Sequence, residues 1–122
     1  MMYPPIFAVC AADLGVQSKL GVNPTRLYPF GEAPSLSTKA YAVWQTIGGT
    51  PENYLTCPPD VDFYSLQVDV YGRTALEVRE AANALRVPIE ANAFIVAWRG
   101  EMRETDTQLY RYSFDVNWKV YR

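Results

Sequence analysis

The sequence predicts an α+β fold with two layers, in which two helices pack on one face of a mainly antiparallel sheet of four to five strands. Residues 63–71 and 110–121 alternate between apolar and polar side chains, as strands with one buried face do. Residues 74–88 instead repeat their apolar side chains at helical spacing, which predicts a helix with one apolar stripe (Val78, Ala81, Ala82 and Leu85). The 122 residues suit a single domain, so residues 1–122 are assigned to one.

The composition argues against several classes of function. The chain is 49% hydrophobic and 20% charged, and its net charge of −2 is spread without basic runs, which argues against a dedicated nucleic-acid binder. No apolar run reaches 18 residues, so no membrane span is predicted. Histidine is absent, which excludes Ser–His–Asp and Cys–His catalysis and removes the commonest metal ligand. Cys10 and Cys57 are expected to be free thiols, with a disulfide as the alternative.

The first 21 residues are predicted to be helical. Pro4 and Pro5 can open a helix, because its first turn does not need their missing N–H groups. Asp13 is expected to cap a second short helical piece that ends at Gly21. The residues expected to face inward are Ile6, Phe7, Cys10, Ala11, Leu14, Val16 and Leu20.

Two strands and a long loop are predicted next. Residues 25–28 and 41–47 are strand candidates, and Gly48 and Gly49 are expected to end the second one. Residues 49–61 contain three prolines and show no periodicity, which predicts a loop. Loops of this length in small domains are usually functional or mobile.

The second half of the chain is predicted as strand, helix, strand, loop and strand. Thr74 and Glu77 have the spacing of a capping box at the start of the helix, and Pro88 is expected to stop it. Residues 93–98 form the next predicted strand, and residues 99–108 a solvated polar loop. The strand is predicted to place Phe94, Val96 and Trp98 on one side and Ile95 and Ala97 on the other.

The last predicted strand, residues 110–121, is expected to bury alternate residues and to expose those between them. Its predicted inward residues are Tyr110, Tyr112, Phe114, Val116, Trp118 and Val120.

Acidic side chains in the two loops could form a calcium or glycosidase site only if a pocket brought them together, so solvated charge is the simpler interpretation.

Three stretches closely resemble the tail-completion proteins of long-tailed bacteriophages, which are also called tail terminators or head–tail joining proteins. They are NPTRLYPFGEAP, YAVWQTIGGTPENYLTCPPDVDFYSLQVDVYG and LYRYSFDVNWKVY, in this order along almost the whole chain. The resemblance implies a subunit of a ring, usually a hexamer, that caps the tail-tube protein and meets the head-connector protein. Genomic DNA would pass through the ring without specific binding. No catalysis, metal or cofactor is implied. The implied location is the head-proximal end of the virion tail, with assembly in the host cytoplasm.

In that setting the two loops become candidate sites. Residues 49–61 are expected at a subunit or tail-tube contact, with Glu52, Asn53, Tyr54, Leu55 and Asp60 as the candidate residues. Residues 99–108 are expected to project toward the ring lumen or its axial face, with Arg99, Glu101, Arg103, Glu104 and Asp106 as the candidates. A plain exposed hairpin loop is the alternative for the second segment.

Two other functions stay open. A small ligand-binding or enzymatic α+β domain would need an aromatic-lined pocket with convergent polar groups. An assembly adaptor would never enter the particle, so mass spectrometry of purified virions would separate it from a tail protein.

Overall fold

The computed structural model describes residues 3–34, 39–52 and 60–121. Within these ranges the chain forms three helices and five strands. The strands make one sheet in the order β1-β2-β3-β5-β4, and all neighbours are antiparallel except β1, which lies parallel to β2. The predicted α+β class with a mainly antiparallel sheet is therefore confirmed. The elements are α1 (Ile6–Ala11), α2 (Leu14–Leu20), β1 (Leu27–Pro29), β2 (Tyr41–Pro51), β3 (Val61–Gly72), α3 (Ala75–Asn92), β4 (Phe94–Arg103) and β5 (Tyr110–Tyr121).

One face of the sheet forms the core with the helices. On its two central strands, Val68 lies opposite Phe114 and Leu66 lies opposite Val116, and all four side chains are fully buried. The buried residues of α1, α2 and α3 belong to the same cluster. Burying a side chain of this size contributes about 1.5–3 kcal/mol, so this layer accounts for much of the stability of the fold. The predicted inward faces of the central strands are confirmed.

The N-terminal segment forms two short helices that pack on α3. Asp13 caps the second one as predicted, because its Oδ1 accepts a hydrogen bond from the Val16 N–H at 3.0 Å. The predicted inward face is wrong at two positions, Phe7 and Leu14, which are exposed. Each helical residue turns the chain by about 100°, so Phe7 points away from the direction of buried Ile6. Leu14 follows the break between the helices, so the spacing of the first helix no longer applies to it.

Helix α3 begins where the sequence predicts but runs past its predicted end. The Thr74 hydroxyl accepts a hydrogen bond from the Glu77 N–H at 3.1 Å. Pro88 lies inside the helix, although a proline costs roughly 3 kcal/mol there because it cannot donate to the preceding turn. Pro88 and Ile89 are both buried and continue the apolar stripe, so their burial against the core offsets that cost. The prediction that Pro88 stops the helix is wrong.

Strand β2 also runs past its predicted end. Gly48 and Gly49 do not end it: they pair with Ser65 and Tyr64 on β3, and the pairing continues to Pro51. A β-bulge between Thr46 and Gly48 accommodates one extra residue, so a glycine-rich stretch remains part of the ladder. The prediction that residues 49–61 form a loop is therefore wrong for residues 49–51, which belong to β2, and for Val61, which begins β3. Residues 53–59 of the predicted loop lie outside the described residues.

Strand β4 is longer than predicted and groups its side chains differently from the prediction. Irregularities lie directly after Ile95 and after Trp98, and each inserts one residue. Because one inserted residue moves the following side chains to the other face, the predicted grouping of Phe94, Val96 and Trp98 is wrong. Ile95 and Trp98 both lie opposite core residues of β5, whereas Phe94 lies on the other face.

Candidate assembly interface

The face of the sheet opposite the three helices, here called the open face, carries mostly polar side chains and several aromatic rings. Its centre is a buried polar pair, Asp69 on β3 and Ser113 directly opposite on β5. The Ser113 hydroxyl donates to the Asp69 carboxylate, and the Gln67 side-chain amide donates to the same carboxylate at 3.1 Å. A buried carboxylate needs such donors, since burying it unpaired costs several kcal/mol. These contacts tie the two central strands together on the open face.

A row of tyrosines crosses the open face at the end of the sheet from which α3 departs. The Tyr41 and Tyr71 rings stack with their centroids 5.1 Å apart, and Tyr28 extends the row at 6.4 Å from Tyr41. Burial raises the pKa of Tyr41, with a further contribution from nearby Glu104. Burial also raises the pKa of Tyr71. Both hydroxyls therefore stay protonated at neutral pH, and the row presents a neutral aromatic surface.

The loop predicted as a contact site lies at the opposite end of the sheet. The Glu52 N–H donates to the Val61 carbonyl oxygen at 2.9 Å, which closes the β2–β3 ladder directly before the loop. Glu52 and Asp60 are exposed at its two ends. The other candidates, residues 53–55, fall outside the described residues, so the role of Asn53, Tyr54 and Leu55 stays a prediction.

Aromatic side chains on the open face lie beside this loop. Phe63 and Tyr121 are exposed, and the Lys119 ammonium lies between them, 5.9 Å from the first ring centroid and 5.2 Å from the second. A cation over two aromatic faces is attracted to both rings. This end of the sheet therefore offers a mixed aromatic and cationic surface next to the predicted contact loop.

The second candidate segment is mainly strand rather than loop. Arg99, Glu101 and Arg103 belong to β4, and only Glu104 and Asp106 lie in the connection to β5. That connection is a tight turn, in which the Gln108 N–H donates to the Glu104 carbonyl oxygen at 3.0 Å. The prediction of a ten-residue solvated loop is therefore wrong, and the connection spans residues 104–109.

The charges that the strand carries are bound to neighbours in the same chain. The Arg99 guanidinium donates to Asp115 at 2.8 Å, and Arg79 on α3 donates two hydrogen bonds to Glu101, at 2.6 and 3.1 Å. The hydrogen bond from Arg79 lowers the pKa of the Glu101 carboxyl. Arg103 places its guanidinium over the ring of the first residue of β5, 5.3 Å from the centroid. These partners hold the charged half of β4 against its own subunit.

The two candidate segments are therefore not brought together. Strand pairing sets Pro51 beside Asp62 at one end of the sheet, and Arg103 beside Tyr110 at the other. The structure instead separates them by the length of the strands. A subunit built in this way presents two chemically different ends.

Sequence analysis missed the free outer edges of the sheet. Strand β4 has no partner on its outer side among the described strands, and nine of its ten residues are exposed. Strand β1 covers only Ala42, Val43 and Trp44 of β2, which leaves the rest of that edge open within the described ranges. No local signal marks these edges, because edge strands usually carry charges that prevent pairing and residues 94–98 and 45–51 carry none.

A shallow groove of about 250 Å³ lies between the start of α3 and β4. Its charged lining residues include Arg79 and Glu101, which bind each other. A ligand there would have to compete with that ion pair. The full lining is Ala75, Val78, Arg79, Glu101, Met102, Arg103, Tyr110 and Arg111.

Comparison with known families identifies the chain. The family model described as tail completion protein gp17 matches residues 4–121. The chain belongs to this family. It is thus a structural protein of the phage tail, as the resemblance of the three stretches implies. No curated protein is significantly similar to the chain.

The fold of this tail completion protein also occurs in a solved particle. A chain of the structure titled "Virion of native gene transfer agent (GTA) particle" superimposes with a TM-score of 0.73 at 12% sequence identity. The match covers 96% of this chain and 92% of that chain. At this identity the similarity establishes a shared fold.

Residues 3–34, 39–52 and 60–121 contain no group of three or more Cys, Asp or Glu side chains placed to hold a metal ion. No helix in the described part of the chain is long and apolar enough to cross a membrane.

Proposed function

We propose that this tail completion protein forms a ring, a hexamer in the particle, that caps the finished tail tube and joins the tail to the head connector. The observation that carries the proposal is the separation of the two candidate segments to opposite ends of one sheet, within a chain that matches the family over residues 4–121. A ring between two partners needs two different axial faces, and this subunit has two different ends.

The loop end of the sheet is the proposed tail-tube contact. Its loop contains Tyr54 and Leu55, and the open face beside it exposes Phe63 and Tyr121 around Lys119. Aromatic side chains at the centre of a contact commonly carry much of its binding energy. The polar turn at residues 104–109 then faces the ring lumen or the head connector.

The charge distribution supports passage of DNA without specific binding. Basic side chains bind phosphates and release counterions, so a strongly basic lumen would retain the genome. Here Arg99 and Arg79 are each bound to a carboxylate of the same chain. In the proposed ring they would attract DNA only weakly, and the protein would act without catalysis.

The proposed tail-tube contact can be tested with the double change Tyr54→Ala, Leu55→Ala. The variant should keep the melting temperature of the isolated subunit, because the change lies in the connection between two paired strands. It should, however, sharply reduce the yield of tails joined to heads, counted by electron microscopy. The matched control is Leu76→Ala, Val87→Ala, which removes two exposed apolar side chains from α3.

The control should assemble like wild type. A normal yield of joined particles from the Tyr54, Leu55 variant would contradict the proposed contact. Mass spectrometry of purified virions tests the wider proposal, since an assembly adaptor would be absent from them.

A further inference from the structure

Among the described strands, two uncharged segments form the open edges of the sheet. The first is residues 94–98 of β4, where Phe94 and Val96 are 73% and 53% exposed. The second is residues 45–51 of β2, beyond the part that β1 covers, where Ile47 is 44% exposed. Unpaired strand edges hydrogen-bond readily to another strand, and proteins usually protect them with charged side chains. Neither segment carries a charge.

We propose that a second copy of this chain occupies these edges, with residues 94–97 of one subunit pairing with residues 45–48 of the next. This inference rests on the proposed function, because it identifies the seam between subunits of the ring. The contact is head-to-tail: each subunit uses one edge on each side. Contacts of this type generate a closed ring when the rotation between subunits closes.

The strand directions fit such a seam. Neighbours from β2 through β3 and β5 to β4 are antiparallel, so β4 runs opposite to β2. Rotation about an axis along the strands does not change a strand's direction. The edge of one subunit would therefore meet the next in antiparallel pairing, which is the more stable arrangement.

The two segments also lie at the same height along the strand direction, here called their level. Through its partners on β5 and β3, Phe94 lies level with Gly48, and Ala97 lies level with Gln45. Rotation about an axis along the strands also preserves the level, so the two segments meet without an axial step. An axial step at each contact would give an open helix rather than a ring.

The irregularities of the two edges lie at nearly the same level. The bulge in β2 contains Ile47, and the first irregularity in β4 contains Val96, one residue apart in level. A bulge hinders pairing with a regular strand. A second copy of the chain supplies an edge whose own bulge lies almost opposite, which favours it over an unrelated strand.

The pairing is expected to stop after Ala97. Through its partners on β5 and β3, Trp98 lies level with Trp44, where the neighbour's edge is already covered by β1. The second irregularity of β4 follows directly and precedes Gly100, whose φ of +99° favours glycine, and a strand bends at such points.

The seam can be tested by cross-linking in assembled tails. In a Cys57→Ser background, Val96→Cys and Ile47→Cys are introduced together, and purified tails are treated with a short bismaleimide. Cys10 is buried and should not react. We expect a ladder of covalent multimers up to the full ring. The control pair, Val96→Cys with Leu76→Cys on the exposed side of α3, should give no ladder.

Each other outcome overturns the seam. Cross-linked dimers from Val96→Cys alone would indicate a symmetric contact between two β4 edges. If purified tails contain rings of the double variant but the bismaleimide gives no ladder, the seam lies elsewhere and the proposed function is unaffected. Absence of the wild-type protein from purified tails would refute the proposed function, and this inference with it.

A measurement on the unmodified protein covers the case in which the cysteine pair prevents assembly. Hydrogen exchange of the free subunit is compared with that of purified tails. The amides within residues 45–48 and 94–97 that face the neighbour should exchange at least about tenfold more slowly in tails, since pairing protects them. Unchanged exchange in both segments would overturn the seam.

Discussion

A matched pair of phenylalanines on adjacent strands tests the assignment of the two sheet faces. Phe114 is fully buried, lies opposite Val68, and has its ring 5.3 Å from that of Trp98. Phe63 is 38% exposed on the open face, and its ring contact is with Lys119. Truncation of a core phenylalanine to alanine costs about 3–5 kcal/mol, from lost burial and the cavity left behind. Truncation at the open face should cost about 1 kcal/mol or less.

The difference is large enough to measure by thermal melting. For a domain of this size each kcal/mol lowers the melting temperature by roughly 3–5 °C, so Phe114→Ala should lower it by about 10–20 °C. Phe63→Ala should lower it by less than about 5 °C. Both variants and wild type are melted at a low concentration at which the subunit is monomeric, because assembly would stabilise the fold. Urea unfolding with an unchanged slope would confirm that the native state alone is affected. Equal losses from the two variants would refute the assignment of the faces.

Three further predictions concern charge and a thiol. The hydrogen bond from Arg79 lowers the pKa of Glu101, so its contribution to stability is present above the carboxyl's ordinary pKa and is lost as the pH falls through the lowered value. The melting temperatures of Glu101→Gln and wild type should therefore differ at pH 7 and converge in acid. A difference that stays constant with pH would contradict this linkage. Burial raises the pKa of Cys10 from 9.0 to about 12. In a Cys57→Ser variant at pH 8, the folded chain should therefore react with a thiol reagent at least about a thousandfold more slowly than the unfolded chain. Rapid labelling of the folded chain would contradict this burial. The double change Glu104→Lys, Asp106→Lys should keep the fold, and it should slow genome ejection from assembled particles if the 104–109 turn lines the lumen. The control Glu80→Lys on α3 should leave the ejection rate unchanged. Normal ejection kinetics of the double variant would exclude a lumen position for the turn.

Local sequence patterns predicted the elements whose burial is regular. Strand β5 alternates between apolar and polar residues over most of its length, β3 does so from Tyr64 to Val70, and the start of α3 has both a cap and a stripe. In these segments the local preference and the tertiary environment agree, which is the condition under which a sequence specifies its structure most clearly. The aromatic and apolar inward residues of β5 could therefore be assigned before the structure was known.

Long-range contacts decided the parts that local patterns did not predict. Residues 99–103 have the composition of a solvated loop. They form a strand because residues 100–103 pair with residues 110–113 of β5. The contacts of Arg99 with Asp115, sixteen residues away, and of Glu101 with Arg79, twenty-two residues away, support that pairing. Pro88 is a local stop signal, and only the packing of the neighbouring Ile89 against the core explains why the helix continues. Neither kind of partner can be identified by reading a window of adjacent residues.

The candidate site was likewise predictable from the sequence only in part. Composition alone indicated where the chain connects β2 to β3, since prolines without periodicity are not typical of a strand or a helix. The open edges could not be located in this way, because an edge is defined by the order of strands in the sheet. Residues 94–98 read as an ordinary strand, and only the order β1-β2-β3-β5-β4 places them at the outside.

Strand β4 therefore combines two halves with different requirements. The charged half, from Arg99 to Arg103, binds partners in its own subunit through ion pairs and a cation–π contact. The apolar half, residues 94–98, exposes side chains that its own subunit leaves uncovered. In the proposed ring, substitutions in the first half should change the stability of the isolated subunit and spare assembly. Substitutions of Phe94 and Val96 in the second half should have the opposite effect, because the neighbour supplies the partner that these exposed residues lack.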